Sequence, residues 1–141
     1  MTTDAQLARL VRFFETISPR TLREELSTIY AADARFKDPF NDVCGLARIA
    51  KIFEHMFVQV EGPHFVVTTR VMQGDQAFLT WNFLFQMKGQ DQCIRGATHF
   101  VFNEAGAVTL HRDYWDAAEE LYEKVPVLGA LMRWLKRMAN R

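Results

Sequence analysis

Cysteines and long apolar runs are scarce in this 141-residue chain, and each scarcity excludes a class of protein. The two cysteines, Cys44 and Cys93, stand far apart without a paired motif. This argues against a disulfide framework or a zinc site and favours a reducing cytoplasm. No apolar run approaches membrane-spanning length. The N-terminus has no apolar core after basic residues, so no signal peptide is expected.

Charge of one sign is not in excess either, because 17 Lys and Arg residues balance 17 Asp and Glu residues. A balanced chain gives no reason to expect a nucleic-acid partner. The sequence also lacks a Gly-rich phosphate-binding loop, a nucleophile elbow and metal-ligand spacing, so no metal or other cofactor is expected. Apolar residues, by contrast, make up 49% of the chain, which indicates one domain with a sizeable core.

The first half of the chain has helical periodicity. Apolar residues recur every three or four positions over about 7–17, 22–30 and 46–57, which predicts three helices. Thr21 and Glu24 have the form of a capping box before the second helix. Residues 31–37 are interpreted as a short bridge that leads out of that helix.

The second half predicts a meander of antiparallel strands over about 65–72, 76–87, 92–102 and 107–115. Helices segregated from such a sheet indicate an α+β fold, with three N-terminal helices packed on a strongly bent antiparallel sheet. Both faces of the second of these strands carry apolar side chains. We therefore expect one face to pack on the helices and the outer face to form a homodimer.

Residues 117–141 are predicted to form a helical C-terminal extension of a single domain, 1–141. Asp116 can cap a helix over 117–124, and an amphipathic segment with basic residues follows over 127–141. Packing on this or a neighbouring domain is favoured over contact with a membrane surface, because the segment is short and has no dense basic cluster.

The tripeptide Asp38-Pro39-Phe40 places a carboxylate among apolar residues. Proline forces the preceding residue out of helical geometry, so Asp38 ends an extended segment or enters a turn. Two interpretations stay open. The carboxylate is either a surface turn former or a desolvated acid with a raised pKa that moves protons.

Taken in order, these features resemble the nuclear transport factor 2-like superfamily, and most closely its SnoaL-like and ketosteroid isomerase-related branch. The stretches that carry the resemblance are 29–34 running into Asp38-Pro39, then 102–106, then Tyr114-Trp115. It covers roughly residues 5–116. The resemblance implies a cone in which helices close a bent sheet over an apolar pocket for a small hydrophobic molecule. It also implies dimers that form through the outer sheet face.

Ketosteroid isomerase uses an Asp base and an oxyanion hole made by a Tyr and a protonated Asp. By position Asp38 matches that base, and Tyr30 matches a retained tyrosine of the supporting network. The oxyanion-hole tyrosine falls at Phe14, the protonated acid near Thr98, and a further tyrosine at about Phe53. Loss of one oxyanion donor costs about a hundred- to a thousandfold in rate. The resemblance therefore argues against steroid isomerisation.

The last predicted strand adds groups that the isomerase pattern lacks. Strand alternation places His111, Asp113 and Trp115 on one face. If Trp115 faces the pocket, as its counterpart in the family does, then His111 and Asp113 face it too. SnoaL-like cyclases similarly use a His and an Asp for proton transfer. His99 is the alternative histidine, ranked lower because a two-residue hairpin at 104–105 puts its neighbour on that face.

Two functions follow from these residues. One is a small apolar-ligand pocket protein with no assigned reaction, in which His111 and Asp113 form a structural hydrogen-bonded pair. The other is a cofactor-free isomerase, cyclase or dehydratase-type enzyme acting on a hydrophobic carbonyl or polyketide-like substrate, with Asp38, His111 and Asp113 as the catalytic groups. In both, the expected pocket residues are Phe14, Tyr30, Phe53, Thr98 and Trp115.

Overall fold

The computed structural model describes residues 4–122, 133, 134, 137 and 138, with the side chains of 121 and 122 left out. The elements, in chain order, are α1 (Asp4–Glu15), α2 (Pro19–Ile29), β1 (Tyr30–Lys37), β2 (Asp42–Cys44), α3 (Leu46–Gln59), β3 (Glu61–Gln73), β4 (Gln76–Met87), β5 (Gln90–Phe102), β6 (Val108–Tyr114) and α4 (Ala117–Tyr122).

The sheet has six strands in the order β2-β1-β6-β5-β4-β3. The predicted meander is present as β3 to β6, and its neighbours all pair antiparallel. The α+β cone-type fold is thus confirmed. One detail differs, because β1 runs parallel to β6 and makes the sheet mixed.

Strand β1 occupies the segment that was interpreted as a bridge, and that interpretation was wrong. Its residues alternate poorly between apolar and polar, and the register to β6 shifts between Tyr30 and Arg35. The strand forms because β6, which is remote in sequence, and the adjacent short strand β2 supply its hydrogen-bonding partners. Strand propensity depends strongly on such context.

Helix α2 begins one turn earlier than its predicted cap. Ser18 is the N-cap, and its side-chain oxygen accepts a hydrogen bond from the Thr21 N–H at 3.1 Å. The Thr21 hydroxyl accepts the Ser18 N–H at 2.8 Å, which completes the box. Pro19 fits the first helical position because an N–H there would have no partner. The predicted box of Thr21 with Glu24 was therefore wrong.

The inner face of the sheet packs against the helices. On β4 the predicted apolar stripe is buried, and it consists of Leu79, Trp81, Phe83 and Phe85. The opposite face of the same strand carries Phe78, which is 49% exposed. A dimer through this outer face stays a prediction.

The C-terminal extension is only partly described. Asp116 caps α4 as predicted, because its Oδ1 accepts the Glu119 N–H at 3.1 Å. Residues 123–132, 135–136 and 139–141, where most of the predicted amphipathic segment falls, lie outside the described residues. Within the described part, Trp134 and Met138 are buried against the core, which agrees with packing on the chain's own domain. No helix in this part is long and apolar enough to cross a membrane.

Gly96 on β5 lies opposite Trp81 on β4, and a Cβ there would stand 2.6 Å from the ring carbon Cζ2. We expect Gly96→Ala to lower the free energy of unfolding by about 1–3 kcal/mol, because the indole ring lies directly over Gly96 and would have to move. Denaturant unfolding measures the loss. The penalty should shrink in a Trp81→Phe background, where the clashing ring is absent. An equal penalty in both backgrounds would contradict this explanation.

Candidate functional site

Two adjoining cavities lie between the helices and the inner face of the sheet. Counted as space open to the centre of a water molecule, the inner cavity is about 30 Å³ and the more open outer cavity about 70 Å³. Four residues line both of them: Phe53, Phe65, Trp81 and Asp113. The walls are otherwise mostly apolar, so the few polar groups that reach the cavities dominate their chemistry.

A chain of hydrogen bonds converges on Asp113. Its Oδ1 accepts from the Thr98 hydroxyl at 2.5 Å and lies 2.7 Å from His111 Nε2. Thr98 Oγ1 in turn accepts the Trp81 indole N–H at 2.8 Å. On the other side of the imidazole, Nδ1 lies 2.6 Å from the Tyr30 hydroxyl. The chain therefore joins residues of β1, β4, β5 and β6.

The directions of these bonds follow from the chemistry of the groups. An ionised carboxylate only accepts, so His111 Nε2 carries the hydrogen that points at Asp113. In the neutral imidazole Nδ1 is then bare and accepts from the Tyr30 hydroxyl. Burial raises the pKa of Tyr30 well above its usual range, and the negative charge of Asp113 raises it further. Tyr30 therefore keeps its proton and remains a donor.

Aromatic rings surround the imidazole of His111, which is 3% exposed. Phe36 and Phe100 lie with their ring centroids 4.5 and 4.8 Å from it, and Phe14 lies at 5.6 Å. These phenylalanine rings exclude water from the edges of the imidazole. Both imidazole nitrogens thus depend on their protein partners, Tyr30 and Asp113.

Asp38 follows β1 and lies in a turn built by its own side chain. Its Oδ1 accepts the backbone N–H of Phe40 at 2.8 Å and of Asn41 at 2.6 Å. The Asn41 side-chain amide donates to both carboxylate oxygens at 3.1 Å. Pro39 suits this turn, because it keeps the residue before it extended. The turn-forming part of that interpretation is confirmed, but the carboxylate is half-buried rather than on the surface.

The same carboxylate also opens on the outer cavity, which it lines together with Asp113. Burial raises the pKa of Asp38, and the nearby charge of Asp113 raises it further; the hydrogen bonds from Phe40 and Asn41 oppose this. Desolvation and a like charge both favour the neutral acid. The two sequence-based interpretations of Asp38 are therefore compatible, because one side chain is both a turn former and a cavity acid.

The other predicted site residues divide by position. Phe14, Phe53, Thr98, His111 and Asp113 line the inner cavity, and Trp115 lines the outer one. Tyr30 is fully buried behind His111 and reaches the cavities only through that ring. His99 lies opposite Arg112 in the β5–β6 register, and its ring stacks on the exposed Phe78. It therefore lies away from His111, in agreement with its lower rank.

Three polar contributions were not anticipated from the sequence. Asn41, 6% exposed, holds the Asp38 carboxylate, and the Trp81 N–H anchors Thr98. The third is Trp134, which lines the outer cavity. Only Asn41 had a sequence signal, namely its position three residues after an Asp in a turn. In the described part of the chain, no cluster of three or more His, Cys, Asp or Glu side chains could hold a metal ion.

The raised pKa of Asp38 gives a pH prediction. Asp113→Asn removes a neighbouring charge, so the Asp38 pKa should fall toward the ordinary carboxyl value. Carbon-13 NMR titration of the Asp38 carboxyl measures it, with the exposed Asp33→Asn as the matched control. Because the pKa of Asp38 is higher in the folded state than in the unfolded state, this group stabilises the folded state most at low pH. The stabilisation is lost as pH rises through the folded-state pKa. An unchanged Asp38 pKa in the Asp113→Asn variant would contradict the electrostatic coupling between the two carboxyl groups.

The Tyr30 hydroxyl gives a stability prediction. Tyr30→Phe leaves the buried Nδ1 of His111 without its donor and should lower the free energy of unfolding by about 1–3 kcal/mol. Tyr114→Phe is the matched control, because Tyr114 is 49% exposed and its loss should stay within about 0.5 kcal/mol. Denaturant unfolding compares the two variants. Equal losses would mean that the Tyr30 bond contributes nothing specific.

Several solved structures have the same overall fold as this chain. A hypothetical protein with a ketosteroid isomerase-like fold from Catenulispora acidiphila, in complex with trimethylamine, has a TM-score of 0.70 at 19% identity, covering 86% of this chain and 92% of its own. An LEH-like epoxide hydrolase from M. tuberculosis has 0.69 at 16%, covering 92% and 93%. A candidate SnoaL-like polyketide cyclase from Shewanella putrefaciens has 0.70 at 18%, covering 86% and 99%. At these identities the likeness establishes the fold alone.

Comparison with curated proteins gave no match. The SnoaL-like domain family, by contrast, matches residues 10–111, which include most of the residues around the two cavities. This stretch begins in α1, ends at His111 and covers more than half of the chain. The chain belongs to the SnoaL-like domain family.

Proposed function

We propose that this protein is a cofactor-free enzyme that moves a proton on a small apolar substrate carrying a carbonyl group. One observation carries the proposal: Asp38 and Asp113 open on the same apolar cavity, where burial and the charge of Asp113 raise the pKa of Asp38. A general acid or base works best when its pKa lies near the working pH. A raised carboxyl pKa moves Asp38 toward that condition.

The proposed step is balanced within the protein and the substrate. Ionised Asp38 takes a hydrogen from the carbon next to the carbonyl, the C–H bond breaks, and its electron pair moves onto the carbonyl oxygen as an enolate. The protonated Asp38 then returns the proton to a carbon of the enolate. Return to the same carbon exchanges the hydrogen, whereas a substrate with a double bond between its β- and γ-carbons gives a dienolate that can take the proton at the γ-carbon and become the conjugated isomer. Neither outcome requires an oxidant.

Asp113 is the proposed stationary charge of the pair. Its Oδ1 is held by Thr98 and His111, and Tyr30 fixes the imidazole. A like charge raises the pKa of a neighbouring carboxyl group, and the charge of Asp113 raises the pKa of Asp38 in this way. In this proposal Asp38 takes up the proton and returns it. His111 and Tyr30 are positioning residues that act through Asp113.

The names of similar structures fit this reaction class without identifying the substrate. A candidate SnoaL-like polyketide cyclase and an LEH-like epoxide hydrolase occur among the structural neighbours, so their names describe enzymes with this fold. One fold hosts many reactions, so these names support the type of site only.

A second candidate function is a binding protein that catalyses nothing. The observation in its favour is that the hydroxyls of Thr98 and Tyr30 are already engaged, with Asp113 and His111 as their acceptors. Phe14 has no hydroxyl to offer. None of these three positions therefore provides the oxyanion hole of a steroid isomerase, and steroid isomerisation is not proposed.

Deuterium exchange tests the enzymatic proposal without knowledge of the natural substrate. The probe is α-tetralone, a small cyclic ketone, and NMR follows the replacement of its α-hydrogens in D2O. The protein should accelerate exchange above the buffer rate. Asp38→Asn should reduce that acceleration by roughly a hundredfold or more, because general base catalysis typically supplies this factor.

Asparagine is the chosen replacement because its side-chain oxygen can still accept the N–H groups of Phe40 and Asn41, so the turn is kept. Asp33→Asn, which removes the same charge from an exposed site, is the matched control and should exchange at the wild-type rate. If α-tetralone binds but exchanges no faster than in buffer, the binding protein is the better description.

A further inference from the structure

Trp134 presents a buried donor that the protein leaves unused. The residue is 5% exposed, yet its indole Nε1 has no hydrogen-bond partner among the residues that the structure describes. An indole N–H only donates, so it needs an acceptor. Leaving a buried donor unpaired is costly, and buried polar groups in folded proteins are rarely orphaned. The orphaned donor therefore requires an explanation.

The location of this donor suggests its partner. Trp134 lines the outer cavity together with Asp38, Asp113 and Trp115. Both carboxylates are acceptors on the same wall, but neither receives a hydrogen bond from this indole. The donor thus belongs to a side chain that a cavity occupant would contact.

Three other donors that line the cavities are already engaged. The Trp81 N–H is given to Thr98, the Thr98 hydroxyl to Asp113, and the Nε2 hydrogen of His111 also to Asp113. A ligand oxygen that enters the outer cavity would find these hydrogens pointing at protein acceptors. The indole of Trp134 differs from them in having no protein acceptor within the described structure.

We propose that Trp134 Nε1–H donates a hydrogen bond to the oxygen of a bound carbonyl ligand, and to the enolate oxygen that forms from it. This inference rests on the proposed function for the enolate, but the ligand contact stands without catalysis. It assigns the ligand a chemistry: an apolar body with one acceptor oxygen. A donor aimed at developing negative charge is stronger there than toward the neutral carbonyl.

A matched pair of probes tests the hydrogen bond directly. α-Tetralone and tetralin share an apolar bicyclic frame and differ in the carbonyl oxygen. Trp134→Phe keeps an aromatic ring but removes the N–H. We expect this variant to bind α-tetralone about three- to tenfold more weakly than the wild type, the range for one neutral hydrogen bond. Its affinity for tetralin should be unchanged.

Met138 supplies the control variant, because it lines the same cavity from the same segment without a donor. Met138→Leu should change the affinities for both probes by the same factor. If Trp134→Phe also weakens both probes equally, the role of Trp134 is packing and the proposal is overturned. The proposal is equally overturned if the variant binds both probes as the wild type does.

A spectroscopic readout covers the case in which Trp134→Phe does not fold. In nitrogen-15-labelled wild type, α-tetralone should move the Nε1–H proton resonance of Trp134 downfield, whereas tetralin should not. Binding of α-tetralone with no difference between the probes in this resonance would overturn the hydrogen bond.

Failure of the two proposals can be told apart. The binding measurements use ordinary water, where exchange is silent, and can be repeated in Asp38→Asn. A Trp134 hydrogen bond without deuterium exchange rejects the enzyme but keeps the contact. Exchange that is lost in Asp38→Asn, together with wild-type binding of α-tetralone in Trp134→Phe, rejects the contact but keeps the enzyme. If both hold, Trp134→Phe should slow exchange at saturating α-tetralone by roughly a hundredfold, as expected for an oxyanion donor.

Discussion

The carboxylate of Asp113 is the constraint on which the rest of the site depends. A charge placed among phenylalanine rings is costly unless hydrogen bonds replace its lost water. Here Thr98 and His111 both serve one oxygen, and Trp81 and Tyr30 orient those two in turn. The side chains come from four strands, so the requirement to solvate one charge also links the central part of the sheet.

This arrangement makes the two carboxylates unequal although they share a cavity. Asp113 is held by the side chains of Thr98 and His111, which both contact one of its oxygens. Asp38 is held by the backbone of its own turn and by Asn41, and it bears the repulsion of Asp113. Different surroundings can push the pKa values of two acids apart, which is how an acid and a base acquire separate roles. The different surroundings of the two carboxylates follow from their places in the fold, because Asp38 follows the end of β1 and Asp113 lies near the end of β6.

The sequence predicted what depends on local periodicity and little of what depends on distant contacts. Alternation and turn residues located β3 to β6, and the same alternation placed His111 and Asp113 on the side of Thr98 rather than His99. Strand β1 escaped prediction because its partner β6 is remote in sequence. Tyr30 was named as a pocket residue, yet its place behind the imidazole emerges only from packing in three dimensions. Apolar periodicity did not indicate that Trp134 would line the cavity.

The inventory of polar groups in the outer cavity constrains its occupant more than the family does. Engaged donors cannot recognise a ligand, and the phenylalanine walls discriminate weakly between apolar shapes. The groups that remain include the carboxylate oxygens of Asp38 and Asp113 and the orphaned indole N–H of Trp134. Such a pair complements a molecule with an acidic hydrogen at one point and an acceptor oxygen at another. A ketone with hydrogens beside its carbonyl has this pattern, whereas a hydrocarbon of the same shape would leave the indole unpaired and lose the corresponding affinity.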